Sequence, residues 1–91
     1  MDDKVVQIRL NDAGLPVPDQ DPVVVKKSNQ KVKWSAPFEF RITVDGYDKL
    51  THSNGGGTFE CKTGLFDDER RYKYTISANG VDNDPVLDIK P

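Results

Sequence analysis

Reactive side chains are few in this 91-residue chain: one cysteine (Cys61), one histidine (His52) and one methionine (Met1). A thiolate, an imidazole and a thioether are copper ligands, and a Cys–His pair oriented by a carboxylate makes a nucleophile and its base. The spacing works against both uses. Cys61 alternates with polar neighbours beside Phe59, which predicts an inward thiol acting as a small hydrophobe. His52 falls in the stretch Tyr47–Gly57, read as a loop in which the imidazole is solvated. One thiol and one imidazole are fewer donors than a mononuclear copper centre requires, so no cofactor, no metal and no catalytic residue is expected.

Three other groupings carry chemistry. Asp19 with Asp21, Asp45 with Asp48, and Asp82-Asn83-Asp84 are oxygen-rich turns of a kind calcium uses. None has the twelve-residue spacing with a central Gly and a closing Glu, and Asx side chains at turns serve equally to cap backbone groups. Lys26, Lys27, Lys31 and Lys33 form a basic cluster that a polyanion could track, with Arg41, Arg71 and Lys73 outward on other strands. The aromatics needed to stack bases, Phe38, Phe40, Tyr72 and Tyr74, all fall inward, so the lysines read first as solvated faces and edge guards, and nucleic acid is disfavoured. Asn54-Gly-Gly-Gly57 lacks the Lys and the strand-to-helix setting of a phosphate loop and reads as a flexible connection. Beside it lie Tyr47, Leu50 and His52, with Leu65 and Phe66 on another loop; apolar residues on loop tips are the candidate contacts for a partner protein, and the alternative for Leu50 and Phe66 is to plug the end of the core.

What must position these residues is a set of strands. Thirteen basic against fifteen acidic residues leave a net charge of −2, which steers the chain toward neither nucleic acid nor membrane. Ten valines favour strands over helices, and a lone cysteine forms no internal disulfide. Val6, Ile8 and Leu10 alternate with polar residues; Val23–Val25 follows Pro22; Val32 and Trp34 oppose Lys31 and Lys33. Phe38, Phe40, Ile42 and Val44 share one face, Phe59 and Cys61 another, and Tyr72, Tyr74, Ile76 and Ala78 a third, before Leu87 and Ile89 close the chain. Gly64–Glu69 turns, with room for one helical turn at Asp67–Glu69. Seven short strands with regular turn signals predict one all-β domain over residues 1–91, a seven-stranded Greek-key β-sandwich.

The run Asp21-Pro-Val-Val-Val-Lys-Lys27, a turn, then Val32-Lys-Trp34 resembles the early strands of cupredoxin-like domains. Tyr72-Lys-Tyr-Thr-Ile76, Asn79-Gly80 and Asp84-Pro-Val-Leu-Asp-Ile-Lys-Pro91 are similar to the closing strands of small bacterial members of that superfamily. Together these segments span rather more than a third of the chain. The resemblance implies a Greek-key sandwich; it does not carry the blue-copper function, because in that family Cys and a second His share the loop between the final strands, and no His follows Cys61. Lys31-Val-Lys-Trp-Ser-Ala-Pro37 followed by Phe40-Arg-Ile-Thr-Val44 also resembles two early strands of fibronectin type III, immunoglobulin-like domains. The closing Asp84-Pro85 strand fits the cupredoxin-like pattern better.

The expectation is therefore a non-catalytic binding or structural module whose partner is another protein. A metal-binding cupredoxin relative and a polyanion binder acting through the lysines are the alternatives. Nothing marks a membrane span or signal segment, so cytoplasm is the default compartment, although a trimmed secreted protein would read alike. The oligomeric state is left open; Val5–Leu10 or Val23–Val25 is the candidate to add to another sheet if an edge strand is exposed.

Overall fold

Alternation of apolar and polar side chains works only if the apolar face finds a partner. In the computed structural model, which describes residues 3–91 and so leaves Met1 outside the described residues, two mixed sheets supply that partner for each other. Ten strands form among the described residues: β1 (Lys4–Leu10), β2 (Pro16–Pro18), β3 (Val23–Lys26), β4 (Val32–Ala36), β5 (Arg41–Val44), β6 (Leu50–Gly55), β7 (Thr58–Thr63), β8 (Arg71–Ala78), β9 (Val81–Asn83) and β10 (Val86–Lys90). The first sheet runs β2-β1-β4-β7-β6; the second runs β3-β10-β8-β5, with β9 also paired to β8.

The class is all-β, as the alternation predicts, and no helix occurs among the described residues. The strand count is ten rather than seven: β2, β6 and β9 are additional. Asp67–Glu69 forms no helical turn. The pairing is also not purely antiparallel, since β1 lies parallel to β4 and β3 parallel to β10. Both parallel pairs follow from one crossing. After β2 the chain leaves the first sheet between Pro18 and Val23 and enters the second as β3, then returns as β4.

The core lies between the sheets. Val6, Ile8, Val32, Trp34, Ala36 and Cys61 face it from the first sheet, and Ile42, Val44, Tyr72, Tyr74, Ile76, Leu87 and Ile89 from the second. Burying each large side chain stabilises the fold by about 1.5–3 kcal/mol. Trp34 donates its indole N–H to Tyr74 Oη at 3.3 Å, and the two rings sit 5.2 Å apart, so the one polar handle on each central aromatic is satisfied in the dry interior. Burial raises the Tyr74 phenol well above its ordinary value, which keeps that hydroxyl protonated. No buried side-chain nitrogen or oxygen among the described residues lacks a partner.

Candidate functional site

Each of the sequence-selected residues has a definite place in this frame. Cys61 lies on β7, fully buried, and burial pushes its thiol up to about 12. It is protonated at neutral pH and offers no nucleophile there. His52 is not in a loop. It sits on β6 directly across from Cys61, at the open side of the sandwich, where its Nε2 accepts the Ile42 N–H of β5 at 3.0 Å. Burial first, and then the Arg41 guanidinium, lower the imidazole below its ordinary range. The lone pair a general base would use is already engaged in joining the two sheets.

The loop-tip residues are redistributed. Phe66 is fully buried and stacks on Tyr47 at 4.5 Å, with Tyr72 beside both, so it belongs to the core and leaves no area for a partner. Tyr47 Oη accepts the Gly64 N–H at 2.7 Å, and burial raises that phenol above its ordinary value. Leu50 is half-buried against the same core. Of the five, Leu65 alone is a large exposed apolar side chain, at 41%.

The acidic turns accept protein donors. Asp84 accepts the Thr75 hydroxyl at 2.8 Å and Asp82 the Ser77 hydroxyl at 2.7 Å; Asp19 and Asp21 accept the backbone N–H groups of Gln7 and Val86. Among the described residues no group of three His, Cys, Asp or Glu is placed to hold a metal ion.

The lysines divide between the sheets. Lys26 ends β3 in the second sheet and Lys27 follows it in the turn, where it pairs with Glu69. Lys31 and Lys33 stand on the outer face of the first sheet, and here register adds a residue that sequence spacing did not mark. Lys33 of β4 lies directly opposite Lys62 of β7, and the same row continues to Val5 on β1 and Thr51 on β6. Like charges directly opposite one another destabilise a sheet, so this pair is held against a cost. Around it opens a hollow of about 620 Å³ lined by Asp3, Val5, Lys31, Lys33, Thr51 and Lys62. Val5 is 45% exposed and gives it an apolar patch. Glu60, on the next outward row, reaches Lys33 Nζ at 3.4 Å, and Asp3 Oδ1 accepts the Lys31 backbone N–H; these two carboxylates offset part of the three-lysine charge.

The signal for Lys62 was present in the sequence as an outward residue beside Cys61; only the β4–β7 register brings it to Lys33. No helix among the described residues is long and apolar enough to cross a membrane. No protein-family model matches this chain, and no curated protein matches it in sequence.

Proposed function

We propose that this chain is a non-catalytic binding module, a cupredoxin-like sandwich that holds an extended, carboxylate-bearing segment of another protein against the outer face of its first sheet. The observation that carries this reading is the Lys33–Lys62 pair. Two ammonium groups opposed across a β-ladder repel, and an anion seated between them turns that repulsion into attraction toward the ligand. Lys31 adds a third donor, and the exposed Val5 gives an alternating ligand somewhere to place an apolar side chain. A carboxylate peptide fits better than nucleic acid, because the outward rows of β1, β4, β7 and β6 present Val, Gln, Arg, Lys, Ser, Glu and Thr and no aromatic on which a base could stack.

The parallel β1–β4 and β3–β10 pairs support the cupredoxin-like resemblance over the fibronectin-like one, whose sheets are antiparallel. A copper role finds no support in the placement of the side chains. The connection between β8 and β10, where that family keeps its Cys and second His, carries neither.

Fluorescence anisotropy with a labelled synthetic peptide alternating Glu and Val tests the reading, with the matching Gln–Val peptide, heparin and a single-stranded oligonucleotide as comparisons. Saturable, salt-sensitive binding of the Glu–Val peptide, weakened about 2–25-fold in Lys33→Gln/Lys62→Gln, is expected. Equal binding of the Gln–Val peptide, tighter binding of the oligonucleotide, or no effect of the double substitution would overturn it.

A further inference from the structure

A sheet edge is a row of unpaired amides and carbonyls, and proteins guard such rows with short strands, prolines, charges or covering groups. Four of the edges here are guarded. β2 is three residues long with Pro16 and Pro18 at its ends, and Asn83 Nδ2 donates to the Pro16 carbonyl at 2.9 Å. β3 ends in Lys26, and Gln30 Oε1 accepts the Lys26 N–H at 2.9 Å. On β5 the outward Ile42 N–H goes to His52 and the Val44 carbonyl accepts the Tyr47 N–H. β9 is three residues long and carries Asp82. The sequence expectation that Val5–Leu10 forms an edge is corrected by the topology, which puts β1 between β2 and β4.

The remaining edge, β6, has none of these devices. Its six residues, Leu50-Thr-His-Ser-Asn-Gly55, include no Lys, Arg, Asp, Glu or Pro. The direction of its backbone groups follows from one contact. Gly64 N–H donates to the Lys49 carbonyl, which makes Lys49 and Gly64 a hydrogen-bonded pair. Alternation along the register then leaves Leu50, His52 and Asn54 in non-hydrogen-bonded positions toward β7, with their N–H and C=O groups aimed at the open side. The turn agrees: Gly56 and Gly57 both have positive φ, as a two-residue hairpin between the paired Gly55 and Thr58 requires.

We propose that β6 is a self-pairing edge, docking antiparallel on β6 of a second copy so that the two first sheets become one continuous ten-stranded sheet. Outward groups at 50, 52 and 54 are self-complementary about a two-fold axis through His52. Leu50 meets Asn54 of the partner subunit, and about six ladder hydrogen bonds form. Charge favours the same register. Lys49 falls opposite Gly55 of the partner subunit, which presents no side chain. Thr51 falls opposite Ser53 of the partner subunit, so the row holding Lys33 and Lys62 in one copy runs on into the row holding Glu60 in the other. No like charges are opposed across the join. The occupant is a second copy rather than an unrelated strand because the register pairs its basic row with its own acidic one.

One strand-to-strand contact is small, so the dimer is weak and concentration shows it. In sedimentation equilibrium the mass rises from 10.2 kDa at ~10 µM toward twice that at ~1 mM. Over the same range, amide exchange slows at Leu50, His52 and Asn54 and stays unchanged at Thr51 and Ser53, which already pair with β7. Thr51→Lys/Ser53→Lys and Thr51→Glu/Ser53→Glu each remain monomeric, and an equimolar mixture of the two regains the doubled mass, which shows that both variants fold. A monomer at ~1 mM overturns the proposal, as does binding of an added extended peptide to β6 by a chain that stays monomeric. Dimerisation of either doubly charged variant alone overturns it too, and a mixture that fails to associate overturns the register.

Discussion

Lys62→Thr should make the fold more stable while making it a poorer binder. In the structure Lys62 faces Lys33 across the β4–β7 ladder, and Lys33 retains Glu60 at 3.4 Å when Lys62 is removed. Cross-strand pairs contribute about 0.2–1 kcal/mol, and both ammonium groups reach solvent, so the relieved repulsion is about 0.5 kcal/mol. For a domain of this length that raises Tm by about 2–4 °C. Threonine also favours strands, and salt separates the two contributions. The charge part collapses in 1 M NaCl, where the screening length is about 3 Å, whereas the propensity part persists. Thermal unfolding of wild type, Lys33→Thr, Lys62→Thr and the double variant at low and high salt gives the coupling directly as a double-mutant cycle. Over the same set, affinity for the Glu–Val peptide should fall by about 1.4–5-fold per lysine, the range of an exposed ion pair. A coupling of zero, or one favouring the pair, would refute the reasoning, because the lysines would then stand opposite each other at no cost for a ligand to relieve.

Two further outcomes follow from the buried groups. Phe66→Ala should lose about 3–5 kcal/mol in urea unfolding, a large part of the roughly 5–14 kcal/mol available to a chain of this size, whereas Leu65→Ala should stay within about 0.5 kcal/mol; similar losses at the two positions would return Phe66 to the surface. His52 is neutral in the fold because burial, and then Arg41, lower its ionisation below the unfolded value of about 6.5. Stability associated with it is therefore present above pH 6.5 and declines as the pH falls below that point, since the unfolded chain takes the proton first. The urea midpoint should drop between pH 7.5 and 5.5 by more in wild type than in His52→Gln, whose carboxamide oxygen can still accept the Ile42 N–H; an equal drop in the two would refute the assignment to His52.

Where one face of a strand meets the core, the period-two pattern showed it from sequence. β1, β4, β5, β7, β8 and β10 all carry alternating buried residues, and Cys61 was placed inward by that pattern alone. The three strands that escaped notice lack the alternation for physical reasons. Pro16 and Pro18 mark β2 as a connection, yet an edge strand tolerates prolines. In β6 every side chain from Thr51 to Gly55 is exposed, so the strand exists through its ladder with β7 and writes no apolar period. β9 is too short to show one. Phe66 stays ambiguous in sequence between a loop-tip contact and a core plug, because Gly64 before it and Asp67-Asp68-Glu69 after it read as a surface turn, and the packing of its ring on Tyr47 decides for the core. The parallel pairs depend on the chain changing sheets between Pro18 and Val23, a long-range event with no local signature.

The candidate site has the same division. That Lys31 and Lys33 point outward is a local property, while the meeting of Lys33 with Lys62 is a property of register, and a slip of one residue would have buried the lysine. What distinguishes the first sheet from the second is how its polar groups are used. On the second, Arg71 and Lys90 flank Asp88, and the hydroxyls of Thr75 and Ser77 donate to Asp84 and Asp82, so these groups are matched within the chain, while Lys26 stands opposite Lys90 and Val24 is exposed between charged neighbours. On the first, a like-charged pair faces outward, a valine lies exposed beside it, and the adjoining edge carries three residues with unmatched backbone groups. Both sheets oppose two lysines, but Lys90 lies 3.3 Å from Asp88 on the second, whereas Lys62 has no such carboxylate and borders the hollow and the unguarded edge of β6 on the first. Face and edge use different atoms, ammonium groups in one case and backbone amides in the other, but Thr51 borders both, opposite Lys62 in the hollow. Peptide affinity of the Lys33 and Lys62 variants therefore reports on the face, and amide exchange at Leu50, His52 and Asn54 on the edge. Loss of peptide binding with dimerisation intact, or the reverse, assigns each activity to its own part of the sheet.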